Sequence, residues 1–154
     1  MAIARGAGTE IIRSVLLEDA DDQQQEIIIG EQHHIYTVLS VTAYCIARSG
    51  TEKGHLKLEG WDSFAGATAQ TIHIAEFGMA IGGTFVWNDK FSFNGYEGAT
   101  HSGRFGAGNA AADLAYQNYI ADQAGSAAQV FKHYSDSSST SFDITCTYID
   151  QNNA

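Results

Sequence analysis

The apolar positions of this chain fall in short runs, and where a period is visible it is two rather than 3.6. From Ser141 to Asp150, Phe142, Ile144, Cys146 and Tyr148 alternate with Ser141, Asp143, Thr145 and Thr147. That is the pattern of a strand with one face buried. His55 to Trp61 repeats it, with Leu56 and Leu58 on one side and His55, Lys57, Glu59 and Trp61 on the other. Ile35 to Ala47 is rich in Val, Ile, Thr and Tyr on both alternating faces, as expected of a central strand covered on both sides. Shorter runs at Glu10–Leu17, Ile27–Ile29, Thr71–Phe77, Thr84–Trp87, Phe91–Phe93 and Gln129–Tyr134 read as further strands.

The punctuation between these runs is that of hairpins. RSGTEKG, Gly82-Gly83, Asn88-Asp89-Lys90 and the serine-rich SDSSST mark turns or bulges, and EDADDQQQE is a polar, acidic connection. Proline is absent while glycine occurs 16 times, so Gly, Asn, Asp and Ser must build the turns. The stretch AAADLAYQNYIADQA, residues 110–124, has helical spacing of Leu114, Ala115 and Tyr119, with Asn109 placed to cap it; a short helix and a loop insertion are both open there. The sum predicts an all-β protein: an antiparallel β-sandwich or jelly roll of about eight strands. Residues 1–9 read as a flexible N-terminal arm and residues 10–154 as a single sandwich domain.

Composition narrows the function. The 154 residues are 44% hydrophobic and 17% charged, against an ordinary charged share of about 25%. A packed core is expected rather than disorder. Eighteen Asp and Glu against eight Lys and Arg give a net charge of −10, the wrong sign for phosphate backbones or anionic membrane surfaces. No apolar run approaches the ~20 residues of a spanning helix, and the N-terminus lacks the apolar core of a secretory signal.

Candidate chemistry is thin. His33 and His34, read as neighbours on a strand, face opposite ways and make a poor metal pair. Glu18, Asp19, Asp21 and Asp22 lack the ligand spacing, central Gly and closing Glu of a calcium loop. The GRFGAG piece is not followed by the Lys-Ser or Lys-Thr of a phosphate loop, and no Gly-x-Ser-x-Gly elbow is present. Glu59 and Asp62 read as solvent-facing charges at a strand end. Cys45 and Cys146 are either buried thiols or a bridge between two sheets. Phe85, Trp87, Phe91, Phe93 and Tyr96 either pack the core and a subunit contact or line a glycan site. No catalytic, metal or cofactor site is expected.

Three segments carry a family likeness: IYTVLSVTAYCIA (residues 35–47), IHIAEFGMAIGGTFVWNDKFSF (72–93) and SDSSSTSFDITCTYIDQ (135–151). With the MAIARGAGTE start, they resemble small β-sandwich proteins encoded among the structural genes of tailed bacteriophages, including marine and cyanobacterial phages. Residues 97–125 depart from the likeness as an insertion. The resemblance implies a non-enzymatic virion protein on the outer surface of the particle. A capsid cement or decoration protein, a trimer bound over the major capsid protein of the head, is the first expectation. A tail-, neck- or fibre-associated subunit is the second, and a glycan-binding host-recognition module the third. Partner binding is expected from the arm and the first strand (Ala2, Ile3, Arg5, Thr9, Glu10 and Arg13) and from the aromatic anchor Trp61.

Overall fold

The computed structural model describes residues 8–62, 68–96 and 128–152; at residues 61, 62, 68 and 69 it describes the backbone alone. Nine strands form among these residues: β1 (Thr9–Ala20), β2 (Gln25–Ile29), β3 (His34–Ala47), β4 (Gly54–Asp62), β5 (Thr68–Phe77), β6 (Thr84–Trp87), β7 (Phe91–Asn94), β8 (Val130–Ser135) and β9 (Ser141–Asn152). No helix occurs among the described residues, and the segment 110–124 lies outside them.

The strands form two antiparallel sheets in a sandwich-like arrangement. The first runs β1-β9-β3, with β6 and β7 both on the far edge of β3; the second runs β2-β8-β4-β5. β6 and β7 are two halves of one edge. Val38 faces Phe91 and Val41 faces Trp87, so three residues, Asn88 to Lys90, stand against two on β3. That is a one-residue bulge. With that edge taken as one strand the pairing is nested: first with last, second with next to last, third with sixth, fourth with fifth.

The core follows from the period-2 pattern. Tyr36, Val38, Val41, Ala43 and Cys45 of β3 and Phe142, Ile144, Cys146 and Tyr148 of β9 meet Leu56 and Leu58 of β4, Phe131 of β8 and Ile27 and Ile28 of β2. Phe77, Phe142 and His133 interlock edge-on, with ring centroids 5.0 and 5.8 Å from Phe142. Cys45 and Cys146 are both free and buried on the inner face of the same sheet, so no bridge joins the two sheets. Burial alone pushes the Cys146 thiol up to about 12. The aromatic group also turns inward: Phe93 is buried, Phe85, Trp87 and Phe91 pack against the core, and Phe85 stacks on Phe77 at 4.7 Å.

One end of the sandwich is closed backbone to backbone. Gly30 donates to Gln129, Gln129 to Gly95 and Gly95 to His34, each at 2.8 Å. A Cβ on Gly30 would lie 1.9 Å from the Gly95 carbonyl oxygen and one on Gly95 1.9 Å from the Glu31 carbonyl oxygen, so both positions require glycine.

Several expectations need correcting. β1 continues to Ala20 and β2 starts at Gln25, so the acidic connection shrinks to four residues, 21–24. His33 is not a strand residue: its φ of 63° puts it in a left-handed turn, and only His34 enters β3. β5 begins at Thr68, three residues before the expected strand.

Candidate functional site

The alternation that fills the core leaves each sheet an outer face, and the two are chemically opposite. On the first sheet the outward positions line up in rungs. Leu16, Thr145, Thr42 and Val86 form one, Ser14, Thr147 and Ser40 the next, and Ile12, Ile149, Thr37 and Ser92 a third. Hydroxyls bond along the rungs, with Ser14 to Thr147 at 3.1 Å and Thr37 to Ser92 at 2.8 Å. Five of the exposed large apolar side chains sit here: Ile12, Leu16, Tyr44, Ile46 and Val86. Between Glu10 at one end and Glu18 and Asp143 at the other, these outward positions carry no charge. Asp143 is itself occupied, accepting the Asp19 N–H at 2.9 Å where β1 bulges and Asp19 takes a φ of 51°.

The outer face of the second sheet is laced with charge. Glu59 accepts from Lys57 at 3.2 Å and from Lys132 at 2.6 Å. Those bonds, Lys132 first, hold its carboxyl below the usual range. Lys57 is only 6% exposed, with its ammonium 5.1 Å from the Tyr134 ring centroid. His55 stacks on Tyr134 at 4.5 Å and bonds Asp136 at 2.8 Å. Lys53 pairs with Glu76. Glu59 is therefore not a free solvent-facing charge but the hub of a three-residue ion network.

A third cluster sits where β1 leaves the sandwich. Asp150 is 1% exposed and takes Arg13 at 3.2 Å on one oxygen and His34 Nδ1 at 2.7 Å on the other. The second ring nitrogen of His34 lies 3.6 Å from Glu31. Tyr36 stacks beside His34 at 6.0 Å and its hydroxyl accepts the Glu31 N–H at 3.1 Å. The Arg13 guanidinium is held above its ordinary range by the neighbouring Tyr148 phenol first and by Asp150 after it. This Asp–His pair has the look of an acid–base dyad, and among the described residues Arg13, Glu31, Tyr36 and Tyr148 stand around it. It ties β1, β9 and β3 together at their ends.

The sequence-predicted binding residues are dispersed by this geometry. Ala2, Ile3 and Arg5 lie outside the described residues. Thr9, the last residue of the expected arm, is the first of β1 and sits opposite Asn152, and Gly8 already donates to the Asn152 carbonyl. Glu10 is exposed opposite Gln151. Arg13 is half exposed and anchored to Asp150. Trp61 is in β4 opposite Ala69, on the other sheet from β1. The structure thus brings together Glu10 and Arg13 on β1 and leaves Trp61 apart. Sequence reasoning missed the uncharged outer face, although its signal was present in the polar half of each alternation, which is Ser and Thr in β9 and β3 rather than Lys and Glu.

Among the described residues no group of three or more His, Cys, Asp and Glu is arranged to hold a metal ion. The groove beside His55, His73, Ile74, Ala75 and Glu76 is shallow and open. Neither feature gathers a nucleophile, base and anion-stabilising donors around one point.

No protein-family model matches the chain. No curated protein matches it. Among solved structures, the chain is similar to one described by the words "Bacillus endospore appendages form a novel family of disulfide-linked pili", at 13% identity and a TM-score of 0.38, over 100% of this chain and 97% of that one.

Proposed function

We propose that this chain is a non-enzymatic structural subunit of a virion surface, a cement protein that lies on the outside of a phage head and spans contacts between major capsid proteins. The observation that carries the reading is the contrast between the two outer faces. A decoration subunit needs one broad face that gives up water cheaply and one that keeps the particle soluble. Hydroxyl-and-aliphatic surface gives up water at less cost than charge does, and the ion-laced face, with a net charge of −10 on the chain, keeps particles apart. The nested strand pairing supports a jelly roll of eight strands, an architecture that recurs in viral capsid proteins.

Binding acts by mass action. A subunit that adheres to the assembled shell and not to free shell protein stabilises the shell, and several sites engaged at once raise the effective concentration. The experiment is to purify particles with and without this protein. Expected are copy numbers comparable to the shell protein and loss of heat tolerance in particles that lack it. A presence restricted to a few copies at the tail, or heat tolerance unchanged by its removal, overturns the head assignment.

A further inference from the structure

Each sheet ends in two edges, and the four are not alike. β6 and β7 are short and separated by a bulge, β2 has five residues, and β5 carries His73, Glu76 and a register shift beside Ile74. These are the devices by which natural sheets blunt an edge. β1 has no bulge or break between Glu10 and Leu17, and Arg13, its one charged residue inside those ends, is tied to Asp150. β1 pairs with β9 in unbroken register over that stretch, and its second edge bears no strand among the described residues. Ile11, Ile12 and Leu16 stand 40, 71 and 54% exposed along it. The irregularity at Asp19 comes only at the far end.

The sequence of this edge reads nearly the same in both directions. Glu10-Ile11-Ile12-Arg13-Ser14-Val15-Leu16-Leu17-Glu18 is symmetric in character about Ser14 except at Arg13 and Val15. Two copies laid antiparallel with Ser14 facing Ser14 put Ile12 opposite Leu16 on the outer face and Ile11 opposite Leu17 on the inner face, twice each. Directly opposed apolar side chains are the stabilising unit of an antiparallel pair. The same-face parity holds, so the two first sheets would join into one continuous sheet about a two-fold axis. The near-palindrome is what selects a second copy as the occupant; charge only permits it, since β1 between its terminal glutamates carries no carboxylate and one arginine, so that copies of an acidic chain oppose each other least along this stretch.

We infer that the β1 edge is a homodimer interface, in which a second copy of this chain adds its own β1 antiparallel across Ser14. This goes beyond the proposed function, which concerns attachment to a shell. It also sets a two-fold contact where the family resemblance implies a three-fold one. The like-charged Glu10–Glu18 contacts at the two ends hold the pairing back, so Glu10→Gln is expected to tighten it.

The test is analytical ultracentrifugation of the intact chain across a concentration series. Expected is a monomer–dimer equilibrium. Ile12→Lys places a charge against Leu16 of the partner subunit and is expected to weaken it about 10-fold or more, since the contact occurs twice. Ile12→Lys combined with Leu16→Glu is expected to restore it, because in this register the introduced lysine of one copy meets the introduced glutamate of the other. Within one copy those positions are about 13 Å apart along the strand and cannot pair. Far-UV circular dichroism checks that each variant is folded, and Ile12→Thr, which keeps a strand-forming side chain, replaces Ile12→Lys if that variant is not. A monomer at every concentration, a trimer, a dimer indifferent to Ile12, or a double variant no tighter than the single one each overturns the inference.

Discussion

The outer faces of the two sheets are built by the same period-2 alternation on the two sides of one core, yet they solve opposite problems. On β9 and β3 the outward positions include Thr145, Thr147, Ser40 and Thr42, none of them charged, and hydroxyls bond sideways along the rungs from Thr147 to Ser14 and from Thr37 to Ser92. On β4 and β8 they are His55, Lys57, Glu59, Lys132 and Tyr134, which bond one another so closely that Lys57 is almost buried on a face that points away from the core. The difference teaches that an outer face is not by default a solvated one. The charged face is stabilised by its own contacts, whereas the hydroxyl face has little to lose within the subunit and is available to something outside it.

The largest effect expected is in the core beneath the charged face. His133, on β8, is fully buried, and burial pushes its pKa down to about 4 from an ordinary 6.5. The unfolded chain therefore binds a proton that the folded chain refuses between those values. Stability is complete above pH 6.5, falls as the pH drops through that window, and levels off below about 4. The total loss is about 3 kcal/mol. Urea unfolding at pH 7 and pH 4 measures it, and His133→Phe is expected to flatten this part of the profile. A His133→Phe variant with the wild-type pH dependence would show that the acid sensitivity arises elsewhere, among the surface carboxylates.

Next in size is the ion network itself. Glu59→Gln leaves Lys57 with its ammonium desolvated and its carboxylate partner gone, and is expected to cost about 2 kcal/mol, less than for a fully enclosed pair because Glu59 is 34% exposed. Replacing Lys57, Glu59 and Lys132 together with Met, Leu and Met is expected to be close to neutral, because no charge is then left stranded. Chemical denaturation of the single and triple variants separates the two cases. A triple variant as unstable as the single one would mean that the network stabilises the face through more than charge pairing.

How much of this was legible beforehand depends on how local the cause is. The strands were, because alternation is written in consecutive residues: Ser141–Asp150 and His55–Trp61 carry it plainly. Continued by two residues, the same alternation places Asp150 in line with Tyr148 and so inside, which is where it is 1% exposed. The burial of Lys57 was not legible, because its cover, Tyr134, comes from a strand nearly eighty positions later, and sequence order does not say that β8 lies beside β4. The left-handed backbone at His33 was hidden for a related reason. The turn there is held by the His34 N–H bonding the Glu31 carbonyl at 3.2 Å, and an adjacent pair of histidines gives no sign of that geometry. That Glu10 and Arg13 share a strand is written in consecutive residues, but nothing local says that this strand ends one sheet while Trp61 belongs to the other.

The smallest effect on stability sharpens the comparison most. Thr145 is exposed at the centre of the hydroxyl face, between Leu16 and Thr42. Thr145→Ala removes a strand-favouring side chain but no buried contact, and is expected to change stability by no more than about 0.5 kcal/mol. Thr145→Lys is expected to be as mild in the isolated subunit, since the charge can stay in water. On assembled particles the two should part company. A lysine in the middle of a face that must be desolvated stays unpaired, so particles mixed with the Thr145→Lys subunit should retain much less of it than of the Thr145→Ala subunit. Thermal unfolding of the free subunits and co-sedimentation with particles stripped of this protein give the two readouts. If both variants attach as the wild type does, the uncharged face is not the surface that meets the shell, and the contrast between the faces would then concern the subunit's own stability alone.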